Sequence, residues 1–357
     1  MSYQAFGRLT GLRVSAVALG TSNIGTAPGA RTGPAQARRI VDAFAEAGGN
    51  FIDTADAYQG GTSEEVLGEV LAGRRDEFVL ATKFTRTPDP RAGAAATGNS
   101  RRSAVRSLEA SLRRLRTDYV DVYWVHLPDG VTPVAEILAT LGDLIRAGKI
   151  RYGGLSNFPA WRVAAAATLD RQHGPGTTLV GIQDEYSLAH RQADADLIPA
   201  AEAFGLGACL YAPLAGGLLT AKYRAPGPDA DRPDAAGAEG RLTAWGAGVR
   251  TEDTAQHTAI LDTLTAVAKD LDAAPARVAV AWLAERARRS ATALVPVIGP
   301  RTTGQLDDYL AALDLTLSPA QYASLTEVSA APGGSSSDEI AFGGESERFR
   351  RLSVPVI

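Results

Sequence analysis

Four residues, Asp53, Tyr58, Lys83 and His126, have side chains that could act together on a carbonyl, and each lies at or just beyond the end of a short apolar run. Reducing a carbonyl by hydride transfer builds an alkoxide, so some group must give that oxygen a proton near neutral pH. A phenol is too weak an acid for this unless a cation favours its phenolate, and an ammonium ~4 Å away at an effective dielectric of ~20 does so by roughly 4 kcal/mol before desolvation. In this scheme Tyr58 is the acid, Lys83 activates it, Asp53 holds Lys83 charged and in place, and His126 donates a second hydrogen bond to the carbonyl oxygen. Only four lysines stand beside 32 arginines, so a lysine closing an apolar strand is conspicuous, and it needs a carboxylate nearby.

The elements that must position these groups follow from the pattern around them. Phe51-Ile52, Phe78 to Thr82 and Val120 to Val125 are β-branched and aromatic runs bounded by turn residues, which read as strands. Gln36 to Ala47 after Pro34, Glu64 to Leu71 after Ser63, and Arg101 to Leu115 after Ser100 read as helices with start signals. Further strands are expected at Val17 to Leu19, Gly153 to Leu155, Leu179 to Ile182, Gly207 to Leu210 and Leu294 to Ile298. Eight such β/α units fit a closed (β/α)8 TIM barrel, α/β in class, whose chemistry sits on the loops after the strands. An open sheet would usually carry a Gly-rich fingerprint after its first strand, but Gly20-Thr21-Ser22-Asn23-Ile24-Gly25 lacks it.

The 357 residues, 45% hydrophobic and 21% charged, suit a single barrel domain with a C-terminal tail at 331–357. A net charge of −4 argues against nucleic acid or an anionic membrane as partner. Neither a leader-like apolar segment nor an apolar stretch approaching ~20 residues is evident, and a cytoplasmic protein is expected. The lone Cys209 reads as a core thiol, and metal ligation by the scattered His173, His190 and His257 is not expected. Residues 86–100, 224–253 and 331–347 break the rhythm; the loop 224–250 is expected to close over a bound cofactor and bring Trp245 toward the substrate. Trp124, on the His126 face of its strand, is the other candidate for the substrate pocket.

From about Phe6 to Val328 the chain resembles the aldo-keto reductase family. The resemblance is carried by Phe51-Ile52-Asp53-Thr54-Ala55-Asp56-Ala57-Tyr58 with Ser63-Glu64, Ala81-Thr82-Lys83, His126, Gly154-Leu155-Ser156-Asn157-Phe158, Gln183, Tyr211-Ala212-Pro213-Leu214, and Val297-Ile298-Gly299-Pro300-Arg301 with Gln305. It implies NADPH as hydride donor, with NADH second, and a small carbonyl substrate such as an aryl aldehyde, ketone or keto sugar. By the same resemblance Ser156, Asn157 and Gln183 would hold the nicotinamide carboxamide and Tyr211 would stack on its ring. Ala212, Pro213, Leu214 and Gly216 would line the pyrophosphate path with Lys222 as charge partner, while Gly299, Arg301 and Gln305 would meet the adenosine, Arg301 binding its 2′-phosphate.

Three residues depart from the family pattern. Gln59 replaces the glycine usual after the tyrosine, Ala212 replaces a serine, and Tyr309 stands where an asparagine usually meets the adenine. Two other functions remain open: a lyase or aldolase using Lys83 as a Schiff-base amine, and a nucleotide-binding regulatory protein of low turnover.

Overall fold

The computed structural model describes residues 1–331 apart from 28–29, 90, 92, 94–95, 174–175, 177 and 225–250. A hairpin of β1 (Tyr3–Ala5) and β2 (Arg13–Ser15) comes first, a feature the sequence reading did not anticipate. Eight parallel strands then close a barrel: β3 (Ala18–Gly20), β4 (Phe51–Asp53), β5 (Val79–Phe84), β6 (Val120–Val125), β7 (Ile150–Ser156), β8 (Leu179–Glu185), β9 (Gly207–Tyr211) and β10 (Leu294–Ile298), with β10 pairing β3. The expected (β/α)8 architecture is therefore present. The first barrel strand lies one residue later than expected, and β7 begins three residues earlier.

Around the barrel run α1 (Pro34–Glu46), α2 (Thr62–Val70), α3 (Arg101–Leu115), α4 (Val134–Arg146), α5 (Ala160–His173), α6 (Leu197–Phe204), α7 (Ala255–Asp270), α8 (Pro275–Arg288), α9 (Thr303–Asp314) and α10 (Pro319–Val328). Their starts obey the local chemistry. Ser100 caps α3 by accepting from the Ser103 amide, Thr302 caps α9 from Gln305, and Ser318 forms a capping box with Gln321. Proline occupies the first turn of α1, α8 and α10, where its missing N–H leaves no bond unmade.

Side chains alternate between two cores. Ile52, Leu80, Tyr123 and Val125 point outward and pack with Phe44, Leu67, Leu108, Leu141 and Trp282 beneath the helices. Phe51, Ala81, Val122, Trp124, Cys209 and Val295 point inward, joined by Phe6 from the loop between β1 and β2. Phe6 meets Phe51 and Trp124 edge-on at 5.6 and 6.3 Å, and it occupies the space that Cβ atoms on Gly181 and Gly207 would fill. The hairpin thus brings the plug for the N-terminal end of the barrel. By the same period of two, Asp53, Lys83 and His126 follow Phe51, Ala81 and Trp124 and face inward at the opposite, C-terminal end.

Trp124 is a correction. It is completely buried, its ring lies against Gly154, and it belongs to the apolar filling below the site, not to the substrate pocket. Trp245 and the proposed lid fall outside the described residues, as does the tail beyond residue 331. Among the described residues, no helix is long and apolar enough to cross a membrane, and no cluster of His, Cys, Asp and Glu has the makings of a metal site.

Candidate active site

Register brings the four chemical residues together at the rim. Asp53 pairs with Ala81, one alternation below Lys83, which in turn lies beside Trp124, two residues short of His126. Lys83 Nζ donates to Asp53 Oδ2 at 2.5 Å, to the Thr54 carbonyl at 2.7 Å and to the Tyr58 hydroxyl at 3.2 Å. All three ammonium hydrogens therefore have acceptors. Burial alone would lower the Lys83 pKa, but the charge of Asp53, helped by Tyr58, outweighs it and holds the amine above its ordinary value. It stays an ammonium. The Tyr58 and His126 rings meet edge to face at 6.0 Å.

His126 is the reverse case. Burial, reinforced by the positive charges of Lys83 and Arg86, pushes its pKa down to about 3, so the imidazole is neutral throughout the working range. Its Nδ1 is buried with no hydrogen-bond partner among the described residues. A neutral ring keeps one N–H to offer a substrate oxygen and brings no second cation beside Lys83.

The Tyr58 turn is held from several sides. Ser63, buried in the first turn of α2, donates to the Thr21 carbonyl at 3.1 Å and lies 3.2 Å from the Thr54 hydroxyl. Glu64, fully buried, accepts from Thr82 Oγ1 at 2.5 Å and from Arg114 Nε at 2.7 Å. Gln59 adopts φ 50°, the left-handed region that favours glycine, and its side-chain amide donates to the Ser22 carbonyl at 2.7 Å. The departure from the family pattern thus exchanges backbone freedom for a strap to the loop after β3.

Tyr58 and Asp53 open onto a cavity of about 390 Å³ that runs outward between the loops after β3, β9 and β10. Of the residues expected to bind cofactor, Tyr211, Ala212, Pro213, Leu214, Gly216, Lys222, Gly299, Arg301 and Gln305 line it. Ser156, Asn157 and Gln183 do not; they sit at its inner end, buried or nearly so. The Gln183 amide donates to Asp53 Oδ1 at 3.0 Å, the Asn157 amide donates to the His126 carbonyl at 2.8 Å, and the Tyr211 hydroxyl donates to Asn157 Oδ1 at 2.7 Å. Asn157 and Ala212 both have positive φ, 60° and 55°.

Sequence reasoning missed part of the lining: Thr21, Ser22 and Asn23 after β3, Thr220 and Tyr223 beyond the glycines, and Ala276, Arg277 and Asp308 at the outer end. Pro275 was the available signal for the last group. That proline opens α8, whose first turn carries Ala276 and Arg277 on the cavity wall.

A closed parallel barrel with a Tyr, Lys, Asp and His constellation at its C-terminal rim defines a class of barrel enzymes, and the comparisons narrow it. Residues 16–330 match the Aldo/keto reductase family, and the chain belongs to that family, a family of oxidoreductases. An uncharacterized oxidoreductase, YrpG, of Bacillus subtilis is 35% identical over 356 residues, covering 96% of this chain and all of the relative. A putative aryl-alcohol dehydrogenase, AAD14, of Saccharomyces cerevisiae is 33% identical, covering 88% of this chain and 83% of the relative. The norsolorinic acid reductase stcV of Emericella nidulans is 34% identical over 87% of this chain and 77% of its own length.

Proposed function

We propose that this protein reduces an aldehyde or ketone to the alcohol with NADPH, Tyr58 acting as the acid. The observation that carries the reading is the Tyr58 hydroxyl within 3.2 Å of an ammonium that Asp53 fixes from below, at the mouth of a cavity. A neutral His126 on the other side of the Tyr58 ring favours a substrate oxygen held between the phenol and an imidazole N–H.

The residues present fit a nicotinamide dinucleotide. At the inner end the Asn157 and Gln183 amides, bonded here to Tyr211, His126 and Asp53, are of the donor and acceptor type that would hold a carboxamide, Tyr211 offers a ring beside them, and Gly216 and Gly217, at φ 69° and 112°, expose backbone without Cβ atoms along the cavity. Lys222 is the cation beside that stretch. Arg301 precedes α9, whose N-terminus and guanidinium together suit a phosphate dianion and favour NADPH over NADH. When bound, this cofactor supplies the hydride. Tyr58 then gives its proton to the developing alkoxide, Lys83 stabilises the phenolate left behind, and His126 holds the same oxygen through its N–H.

The name of the yeast relative, a putative aryl-alcohol dehydrogenase, favours an aryl carbonyl over an aliphatic ketone or keto sugar. Schiff-base chemistry at Lys83 is opposed by its three hydrogen bonds and raised pKa, since a nucleophilic amine must be neutral. The test is Tyr58→Phe assayed with NADPH and a panel of carbonyls. We expect turnover to fall ~10²- to 10⁴-fold with NADPH affinity little changed. Near-normal turnover would overturn the assignment, and a wild-type protein that binds NADPH tightly but reduces nothing in the panel would favour the regulatory reading.

A further inference from the structure

The loop after β5 opens on a strained turn that the chemistry above does not explain. Thr85, two residues past Lys83, is buried and β-branched yet held at φ 103°, a conformation that such a residue keeps only where its surroundings force it. It is tied on both sides. Its hydroxyl donates to Asn99 Oδ1 at 2.5 Å, and its carbonyl accepts from the Gly98 amide at 2.8 Å. Asn99 in turn donates through its side chain to the Leu127 carbonyl at 3.0 Å and through its backbone N–H to Asp129 Oδ2 at 2.8 Å, which clamps the turn to the loop that follows His126. The turn decides where Arg86 goes. Along an extended strand Lys83 and Thr85 would share the inward face and Arg86 would point outward with Phe84; the positive φ breaks that alternation.

The charge of Arg86 is felt at two rings on different sides of the barrel mouth. Burial lowers the His126 pKa, and Lys83 and Arg86 add to it; burial, then Glu185, Asp184 and Tyr58, raise the Tyr211 phenol, and Arg86 opposes them. His126 follows β6, beside β5, whereas Tyr211 ends β9, four strands away in the ring of eight and so straight across from β5. The field of an exposed charge is largely screened beyond about 10 Å, so a guanidinium carried by β5 that reaches both rings overhangs the mouth. Arg86 is exposed, makes no hydrogen bond or ion pair among the described residues, and is not on the cavity wall. The cavity lies between the loops after β9, β10 and β3, on the far side of the ring from β6. A cofactor there leaves Arg86 on the substrate's side of the reacting oxygen.

We infer that Arg86 is a specificity-determining residue and that the carbonyl substrate carries a carboxylate, which the guanidinium holds while the carbonyl oxygen meets Tyr58 and His126. This rests on the carbonyl-reduction reading above and names the class of substrate within it. A guanidinium is always charged, and its fork of N–H groups matches the two oxygens of a carboxylate. Asp184 and Glu185, at the end of β8, put negative charge farther round the rim, so an acid group has one favoured orientation, toward β5.

Steady-state reduction of meta- and para-carboxybenzaldehyde and of their methyl esters by the full chain with NADPH tests this. Wild type is expected to favour at least one acid over its ester by about tenfold or more in kcat/KM, through KM rather than kcat, and added salt should shrink the preference. Arg86→Met should bring the ratio close to one, and Arg86→Glu should invert it. A wild type without preference would overturn the inference. So would an Arg86→Met protein that loses acid and ester activity alike, which would make Arg86 a part of the mouth's shape, or one that keeps the ratio but binds NADPH more weakly, which would assign the charge to the cofactor. Reduction of none of the four, nor of any carbonyl in the wider panel, would sink the carbonyl-reduction reading and this inference with it, whereas reduction without acid preference sinks only the inference.

Discussion

The two ends of the cavity carry charge in opposite ways. At the inner end the Lys83 and Asp53 side chains are 0% and 3% exposed and every ammonium hydrogen has an acceptor; at the outer end Arg277 and Asp308 lie half open to solvent, and no carboxylate among the described residues pairs with Arg301. Buried charges must be paired before any ligand arrives, because an unpaired one would be expelled or neutralised. Exposed ones are kept by water and can exchange it for a phosphate or a base. On the function proposed above, the inner end would suit preorganised proton transfer and the outer end binding that comes and goes.

Removing one partner at the inner end should produce the largest effect. Lys83→Met leaves the Asp53 carboxylate without its cation in the barrel interior and is expected to destabilise the fold by about 3–5 kcal/mol while abolishing reduction. The double variant Asp53→Asn with Lys83→Met should regain most of that stability in urea unfolding and none of the activity. If the single variant is as stable as wild type, the inner end is more hydrated than this contrast allows.

At the outer end Arg301→Ala should leave stability unchanged and weaken NADPH by about 1.5–3 kcal/mol, with NADH little affected. Equal weakening of both would place Arg301 on a part the two cofactors share.

A third test probes the wall behind Tyr58. Burial, with the negative charge of Glu64 nearby, outweighs Arg114 and the weaker influence of the Ala57 amide and the Ser107 hydroxyl and pushes the Asp56 carboxyl up to about 8 from an ordinary 3.8, and neither oxygen makes a hydrogen bond of good geometry among the described residues. A carboxyl whose folded pKa is raised binds its proton more tightly folded than unfolded, so the stability it contributes falls as pH rises from about 4 to about 8 and then levels off. Asp56→Asn should flatten that slope, gaining on wild type by on the order of 1–2 kcal/mol between pH 6 and pH 8. Parallel thermal midpoints of the two proteins across this range would show that Asp56 is ionised throughout.

The smallest effect concerns Gln59. Gln59→Gly removes the left-handed strain together with the strap to Ser22, and the two nearly cancel; Gln59→Ala keeps the strain and loses the strap, costing about 1 kcal/mol and raising KM for NADPH, since Ser22 lines the cavity. A tighter-binding Gln59→Ala protein would show the strap working against the cofactor.

Period-two alternation, β-branched runs and helix starts at proline and serine are local signals, and they sufficed for eight strands, the closed barrel and the rim on which Asp53, Tyr58, Lys83 and His126 lie. Local signals do not say how far up the barrel a side chain sits. Trp124 and His126 share a face, and only the layered filling above Phe6 assigned one to the core and the other to the site. Nor do they pair distant residues. Glu64 with Arg114, Gln183 with Asp53 and Arg277 with Asp308 join positions 50, 130 and 31 residues apart, and their meeting depends on barrel closure and helix packing. The residue types and their order along the chain determined which chemistry was available. The tertiary structure decided which charges were buried beside one another, and so which residues hold a proton and which are free to meet a ligand.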